Sequence, residues 1–284
     1  MSRCALRRTG AWCAGALLIA CAAAAAEAPT PSGTLTREQV IARLDASAQS
    51  ASAKSARADL SAKDLSSLDL AGVDFRGANL SATVFNRAVL RGANLAGCNL
   101  TVSFGEGADF RKADLRGAEM FSMQLAAADL RGADLTGARF IGDMNHARLE
   151  GAVARDLRAG ADMTNQSMGL MNARFISARF EGADLSNADA SRADFSFASL
   201  IGAKLVGSKL AGADFSGADL SRADLTNADL RGATFIDTDF TAAKLDGARF
   251  DGATWRNVRG LENAAARGAS GVPAAIAGAT PPQR

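Results

Sequence analysis

Large apolar residues recur at every fifth position over most of this chain. A first run fills all but one of the seventeen places from Leu60 to Phe140, and Gly105 is the gap. A second run fills all but one of the seventeen places from Phe175 to Trp255. A period of five matches neither an α-helix nor a β-strand. Because self-similarity at a fixed period is the mark of repeat architectures, the pattern predicts a solenoid.

The residues around each large side chain recur as well. Ala stands two places before it in 15 of the 17 places of the second run, with Ser208 and Thr238 as exceptions. Asp or Asn usually lies between the two, and Gly often follows two places later, so the unit reads Ala-(Asp/Asn)-(Leu/Phe)-X-Gly. This unit resembles the pentapeptide-repeat family, and the resemblance covers about 200 of the 284 residues.

The resemblance implies an all-β solenoid, a right-handed quadrilateral parallel β-helix with one pentapeptide on each side. In such a fold the Leu or Phe and the preceding Ala point inward, and residues twenty apart stack. The repeat region, 58–258, then makes about ten coils. Stacking at this spacing predicts a structural core column of aromatic residues: Phe175, Phe195, Phe215, Phe235 and Trp255. Cys98 falls on an inward position and is predicted to be a small buried residue.

Short caps are expected at the ends of the repeat, because a solenoid exposes unpaired edges there. Residues 29–57 are read as a linker and an N-terminal capping helix, in which Thr36 and Gln39 form a capping box. Residues 259–284 are read as a C-terminal cap and a disordered tail, with Arg259 to Arg267 as a candidate short helix.

The first 28 residues have the layout of a signal peptide, with three Arg before an uncharged stretch that ends in small residues. Cleavage at Ala26-Glu27-Ala28 would give a soluble product. Leu18-Ile19-Ala20-Cys21 resembles a lipobox instead, so Cys21 is a lipidation candidate and a route to membrane attachment. A membrane-spanning anchor is the weaker alternative, since the stretch is mostly Ala and Gly. We expect a periplasmic protein of the bacterial cell envelope, either lipid-anchored or soluble.

Composition and charge argue against several classes of function. One His, no Tyr and four Cys leave little equipment for catalysis or metal binding, so we expect no enzyme, no cofactor and no metal. The net charge of +2 gives no long-range field, and no nucleic-acid partner is expected. The family resemblance also implies, as an alternative, a DNA mimic that acts on topoisomerases. That alternative requires a cytosolic, strongly acidic rod, which this balanced chain does not provide.

The outward positions must therefore carry the function. One basic ladder, one irregular segment, 141–172, and Phe121 on an adjacent coil supply the interaction candidates, which are Arg91, Arg111, Arg131, Phe121, Ile141, His146, Met163 and Met168. Two further columns alternate in charge and are read as stabilising ion pairs. The sequence predicts a non-enzymatic exported scaffold for protein or envelope contacts, with an unidentified partner and an undetermined oligomeric state. The alternative is a small-ligand or metal-binding module at the Met and His residues of the irregular segment.

Overall fold

The computed structural model describes residues 35–49, 58–160, 168–261 and 268–273. The predictions for the signal peptide, for Cys21, for Met163 and for the end of the C-terminal tail lie outside these ranges. The candidate helix from Arg259 to Arg267 lies mostly outside them too.

The chain winds into a parallel β-helix with four sides. Residues twenty apart pair in parallel on each side, as Asp59 does with Asn79, and the same pairing begins on the next side five residues later. Backbone bonds join the coils in both directions: the Leu60 N–H donates to the Asn79 carbonyl at 2.9 Å, and the Asn79 N–H donates to the Ala58 carbonyl at 2.9 Å. The twenty-residue stacking predicted from the aromatic positions is therefore the stacking of the backbone itself.

Regular secondary structure is short because each side turns after a few extended residues. The helix α1 spans Arg37–Gln49. The strands are β1 (Glu119–Gln124), β2 (Arg139–Asp143), β3 (Thr234–Ile236) and β4 (Thr254–Arg256). Strand β1 pairs in parallel with β2, and β3 with β4. The remaining coils of the described chain are joined by single parallel bridges.

The interior is filled by two residues from each pentapeptide. The Leu or Phe and the Ala two places before it are almost all buried. Phe175, Phe195, Phe215, Phe235 and Trp255 form one column whose successive ring centroids lie 4.8, 5.0, 5.5 and 4.8 Å apart with their planes within 26° of parallel. Small residues beside the column leave room for the rings, and the stacked faces bury a large apolar area.

Polar residues that replace Ala at the inward position are satisfied by the neighbouring backbone. The Thr238 hydroxyl donates to the Phe215 carbonyl at 2.9 Å, and the Ser208 hydroxyl donates to the Leu205 carbonyl at 2.6 Å. Cys98 is fully buried, and its Sγ lies 2.9 Å from the Phe75 carbonyl oxygen. These substitutions keep the interior volume small without leaving a buried hydroxyl unpaired.

Helix α1 lies against the first coil. Its capping box is formed, since the Thr36 N–H donates to Gln39 Oε1 at 2.9 Å and the Gln39 N–H donates to Thr36 Oγ1 at 3.3 Å. Val40 is fully buried, and the Arg37 guanidinium donates to backbone carbonyls of the coil, including that of Asp69. Within the described residues, no helix has the length and apolar character needed to cross a membrane.

Two coils of unequal length pass through the irregular segment. On the side that includes Asp129, the pairing passes to Arg148, one position short of the regular period, and then from Arg148 to Arg174, well beyond it. The shorter coil arises at the β1–β2 pair, whose register slips between Phe121 and Met123. A Cβ built on Gly142 would collide with the Met123 carbonyl oxygen, so the shortened coil requires glycine there. The longer coil then restores the original period, so that the core residues beyond it again fall in steps of five with those before the shorter coil.

The core register of this segment departs from steps of five and returns to them at its end. Met168, five places before the inward Ala173, already takes the regular inward position two places before the buried Leu170. Ala159 occupies a place that elsewhere holds Leu or Phe, while the larger Leu157 takes the place usually held by Ala. The exchange of sizes keeps the core filled across the irregular coils.

Candidate functional site

Periodic Asp residues on the surface accept backbone hydrogen bonds that fix the turns. The Asp214 carboxylate accepts the Ser216 N–H at 2.9 Å, and the same bond recurs between Asp184 and Ser186 at 3.1 Å. An Asp side chain that accepts the N–H two residues on fixes a tight turn. These carboxylates are therefore part of the fold.

The basic ladder is neutralised by carboxylates of the same coils. Arg111 forms a fork with Asp109, in which Nε lies 2.8 Å from Oδ1 and Nη2 lies 2.7 Å from Oδ2. Arg131 binds Asp129 in the same way, and Arg91 Nη2 reaches Asp109 Oδ2 at 2.9 Å. The carboxylates of Asp109 and Asp129 therefore occupy the donor forks of Arg111 and Arg131, and Asp109 also takes one donor of Arg91.

The pKa values agree with this pairing. The Arg111 guanidinium holds the pKa of Asp109 far below its usual range, against the opposing effect of burial. The hydrogen bond to Asp109 in turn raises the pKa of Arg111. An incoming anion would have to displace these short forks, so the ladder is a weak candidate for anion binding.

The alternating columns form cross-coil ion pairs on the exposed surface. Lys204 Nζ lies 3.8 Å from Asp184 Oδ2, and Lys244 Nζ lies 3.2 Å from Asp224 Oδ2. The lysine side chains are more than 60% exposed, so each pair contributes only about 0.2–1 kcal/mol.

The described Met and His residues of the irregular segment divide between the core and the surface. Met144 and Met168 are buried in the core, which corrects the expectation that Met168 lines an accessible surface. His146 is exposed in a left-handed turn, and its backbone N–H donates to the Met171 carbonyl at 2.9 Å. The Met171 residue is itself 40% exposed. Among the described residues, no three His, Cys, Asp or Glu side chains are close enough to hold a metal ion. Met163 lies outside those residues.

Phe121 and Ile141 lie where the sequence placed them, outward on adjacent coils. They are paired across the β1–β2 ladder, and both side chains are half-buried. The two residues therefore form a small apolar surface next to the shortened coil.

Phe197 is a surface residue that the sequence reading missed. Its side chain is 68% exposed, and its φ of +59° lies in the left-handed region that a bulky residue rarely adopts. Its ring lies against Gly217, the equivalent turn residue of the next coil, where a Cβ would collide with it. The signal was present in the sequence, because an aromatic residue stands where Gly or a polar residue usually completes the pentapeptide.

The chain belongs to the pentapeptide-repeat family. The family model, described as pentapeptide repeats (8 copies), matches residues 58–102, 88–122, 108–153, 170–205, 198–235 and 218–257. Members of this family fold as right-handed quadrilateral β-helices, as the family resemblance of the unit Ala-(Asp/Asn)-(Leu/Phe)-X-Gly implied. No curated protein matches the chain.

Several solved structures are similar to the chain. HetL, a pentapeptide repeat protein involved in heterocyst differentiation regulation from the cyanobacterium Nostoc, is 27% identical over 74% of this chain and 90% of its own, with a TM-score of 0.32. Full-length QnrB1, a plasmid-mediated fluoroquinolone resistance protein, is 18% identical over 69% of this chain and 92% of its own, with a TM-score of 0.38. A pentapeptide repeat protein from the Arabidopsis thaliana thylakoid lumen is 32% identical over 36% of this chain and 68% of its own, with a TM-score of 0.19.

Proposed function

We propose that this protein is a non-enzymatic scaffold of the cell envelope that binds a partner protein through the surface around Phe197. The observation that carries the proposal is the combination of exposure and backbone strain at this one aromatic residue. A left-handed conformation costs a residue other than Gly on the order of 1–3 kcal/mol. A bulky apolar side chain that is both strained and 68% exposed gives the isolated fold no evident benefit.

The neighbours of Phe197 leave its ring accessible. Ser177 and Gly217 occupy the equivalent turn positions of the coils on either side. The residues that precede Phe197 and Gly217 are also small, namely Ser196 and Ser216. A single aromatic ring on a rigid, polar surface of small residues is the arrangement expected of an interface anchor.

A substitution at Phe197 separates binding from stability. Phe197→Gly removes the ring and relieves the left-handed backbone, so we expect an unchanged or higher thermal midpoint. Ser177→Gly is the matched control, because Ser177 is exposed in the same column with a φ of +56° but carries no apolar group.

The readout is the size of the native complex in envelope fractions, measured by native electrophoresis and by photo-crosslinking from position 197. We expect the wild-type chain and Ser177→Gly to migrate as a complex and Phe197→Gly to migrate as the isolated chain. A complex that survives Phe197→Gly unchanged would overturn the proposal.

The location and the extent of the rod complete the proposal. We infer an exported rod of about ten coils with α1 as its N-terminal cap. The inference is supported by the signal-like residues 1–28 and by the contacts of Val40 and Arg37 with the first coils. Mass spectrometry of the mature N-terminus tests the location: a lipid on Cys21 places the rod on a membrane, and a start near residue 29 makes it soluble. An intact Met1 in the cytosol would refute export.

A further inference from the structure

Two arginines lie next to each other in a column that otherwise pairs opposite charges across the irregular coils. On this side of the helix Glu119 pairs with Arg139, Arg139 with Arg158, and Arg158 with Asp184. Like charges that face each other on neighbouring strands destabilise a sheet. The twenty-residue period alone does not reveal this pair, because the shortened coil brings Arg158 over Arg139 one position early.

Arginine pairs on the neighbouring sides of the same coils are neutralised. Glu150 Oε1 lies 3.3 Å from both Arg148 Nε and Arg174 Nη1. Glu181 bridges Arg155 and Arg179 in the same manner, with each N···O distance at 3.2 Å. A bridging carboxylate is thus the usual solution in this part of the rod.

Arg139 and Arg158 lack such a bridge. Arg139 Nη1 lies 3.6 Å from Glu119 Oε2, and within the described chain Arg158 makes no ion pair. In Asp184, the next residue of the column, Oδ2 lies 3.8 Å from Lys204 Nζ and Oδ1 accepts the Ser186 N–H. One guanidinium of the pair therefore keeps its donors available to a ligand.

The two arginines line a surface pocket with an apolar wall. The pocket has a volume of about 260 Å³ and is lined by Phe121, Arg139, Ile141, Arg158, Gly160 and Asp184. The Arg139 guanidinium carbon lies 4.9 Å from the centre of the Phe121 ring, which fixes that side chain over the apolar surface. A Cβ on Gly160 would lie 2.7 Å from Asp184 Oδ1, so glycine allows the close approach of these coils.

We propose that this pocket binds a small organic anion, in which an oxyanion group is attached to a flat apolar group. The oxyanion supplies the charge that the Arg139–Arg158 pair lacks, through the paired N–H donors of guanidinium. The apolar group packs on Phe121 and Ile141. The volume is slightly below the usual range for drug-sized ligands, so the ligand contains a single ring or a short chain.

Calorimetric titration of the full mature chain tests the site, with phenyl phosphate and phenylacetate as the probes. We expect one site per chain for at least one probe. The probe that binds more tightly identifies the preferred oxyanion as a phosphate or a carboxylate. Inorganic phosphate should bind at least tenfold more weakly because it cannot use the apolar wall, and benzyl alcohol should not bind because it lacks the charge. Equal binding of inorganic phosphate and phenyl phosphate would overturn the assignment in favour of an adventitious ion only.

Two variants separate this pocket from general basic attraction. Arg158→Gln removes the unpaired guanidinium and should weaken binding of the probe about 10-fold to 100-fold, the effect of losing a charge-assisted hydrogen bond. Arg179→Gln is the matched control, because Arg179 belongs to a bridged pair in the same coils, and it should bind as the wild type does. Equal loss in both variants, or no loss in Arg158→Gln, would overturn the proposal. The outcome does not depend on Phe197, which does not line the pocket.

Discussion

The aromatic column offers the sharpest test of how this rod is stabilised. Phe215 is fully buried between two parallel rings, with Phe195 at 5.0 Å and an interplanar angle of 1°, and Phe235 at 5.5 Å and 11°. Phe215→Leu keeps an apolar side chain but removes both ring contacts. Each such contact contributes about 0.5–1.5 kcal/mol beyond area burial, so their loss amounts to about 1–3 kcal/mol.

The same substitution lower in the rod supplies the control. Phe110 is also fully buried on the same side of the helix, but its neighbours in the column are Leu90 and Leu130. Phe110 additionally fills the space beside Gly105, where a built Cβ would lie 3.2 Å from its ring. Phe110→Leu therefore sets an upper limit on the cost that does not come from ring stacking.

Urea denaturation followed by Trp255 fluorescence measures the effect. A chain that begins at residue 29 retains Trp255 as its one tryptophan, and this residue stacks on Phe235 at 4.8 Å within the same column. We expect the free energy of unfolding to fall further in Phe215→Leu than in Phe110→Leu. Because each coil contacts only its neighbours, a loss in the middle of the column can also separate the unfolding of the two ends. An equal or smaller loss in Phe215→Leu would refute the stacking argument.

Two further predictions concern the irregular coil and the response to acid. Gly142→Ala should destabilise the fold by more than about 2 kcal/mol in thermal or urea unfolding, because the added Cβ meets the Met123 carbonyl oxygen. Gly137→Ala is the control: Gly137 has a φ of +66° but open space around it, so this substitution should cost only about 1–2 kcal/mol. Equal costs in the two variants would contradict this account. Burial opposes ionisation of Asp239, but hydrogen bonds from Arg259 and Thr241 lower its pKa to about 2, and Arg111 lowers the pKa of Asp109. Carboxylates with depressed pKa values stabilise the fold above the unfolded pKa of about 4, and this contribution is lost as the pH falls below it. The combined Asp109→Asn and Asp239→Asn substitutions should flatten the decline of stability between pH 4 and pH 2, and an unchanged slope would contradict the assignment.

The repeat could be predicted from the sequence because its signal is local and redundant. Each pentapeptide carries its own inward pair and its own turn residue, so one pentapeptide that departs from the pattern does not hide the period set by its neighbours. The column from Phe175 to Trp255 follows from spacing once the family resemblance supplies a four-sided helix, in which stacking repeats every twenty residues. The inward position of Cys98 follows from the same count.

The candidate sites were harder to predict, because they depend on which side chains meet across coils of unequal length. The ladder of Arg91, Arg111 and Arg131 is visible at regular spacing, and so are the acids Asp109 and Asp129 beside it, but the bidentate geometry of the forks comes from the folded chain. Met168 is not a surface residue: it stands five places before the inward Ala173, and its side chain fills the core.

The sequence by itself determined the family, the period and the inward residues, because these are set within five residues of one another. Only the tertiary structure decided that the irregular segment holds one shortened coil followed by one lengthened coil, and hence that Arg158 stacks on Arg139. The physical reason is that side-chain neighbours on a solenoid are fixed by the length of a whole coil. A single position lost beside Gly142 therefore changes which residues face each other across the coils that follow.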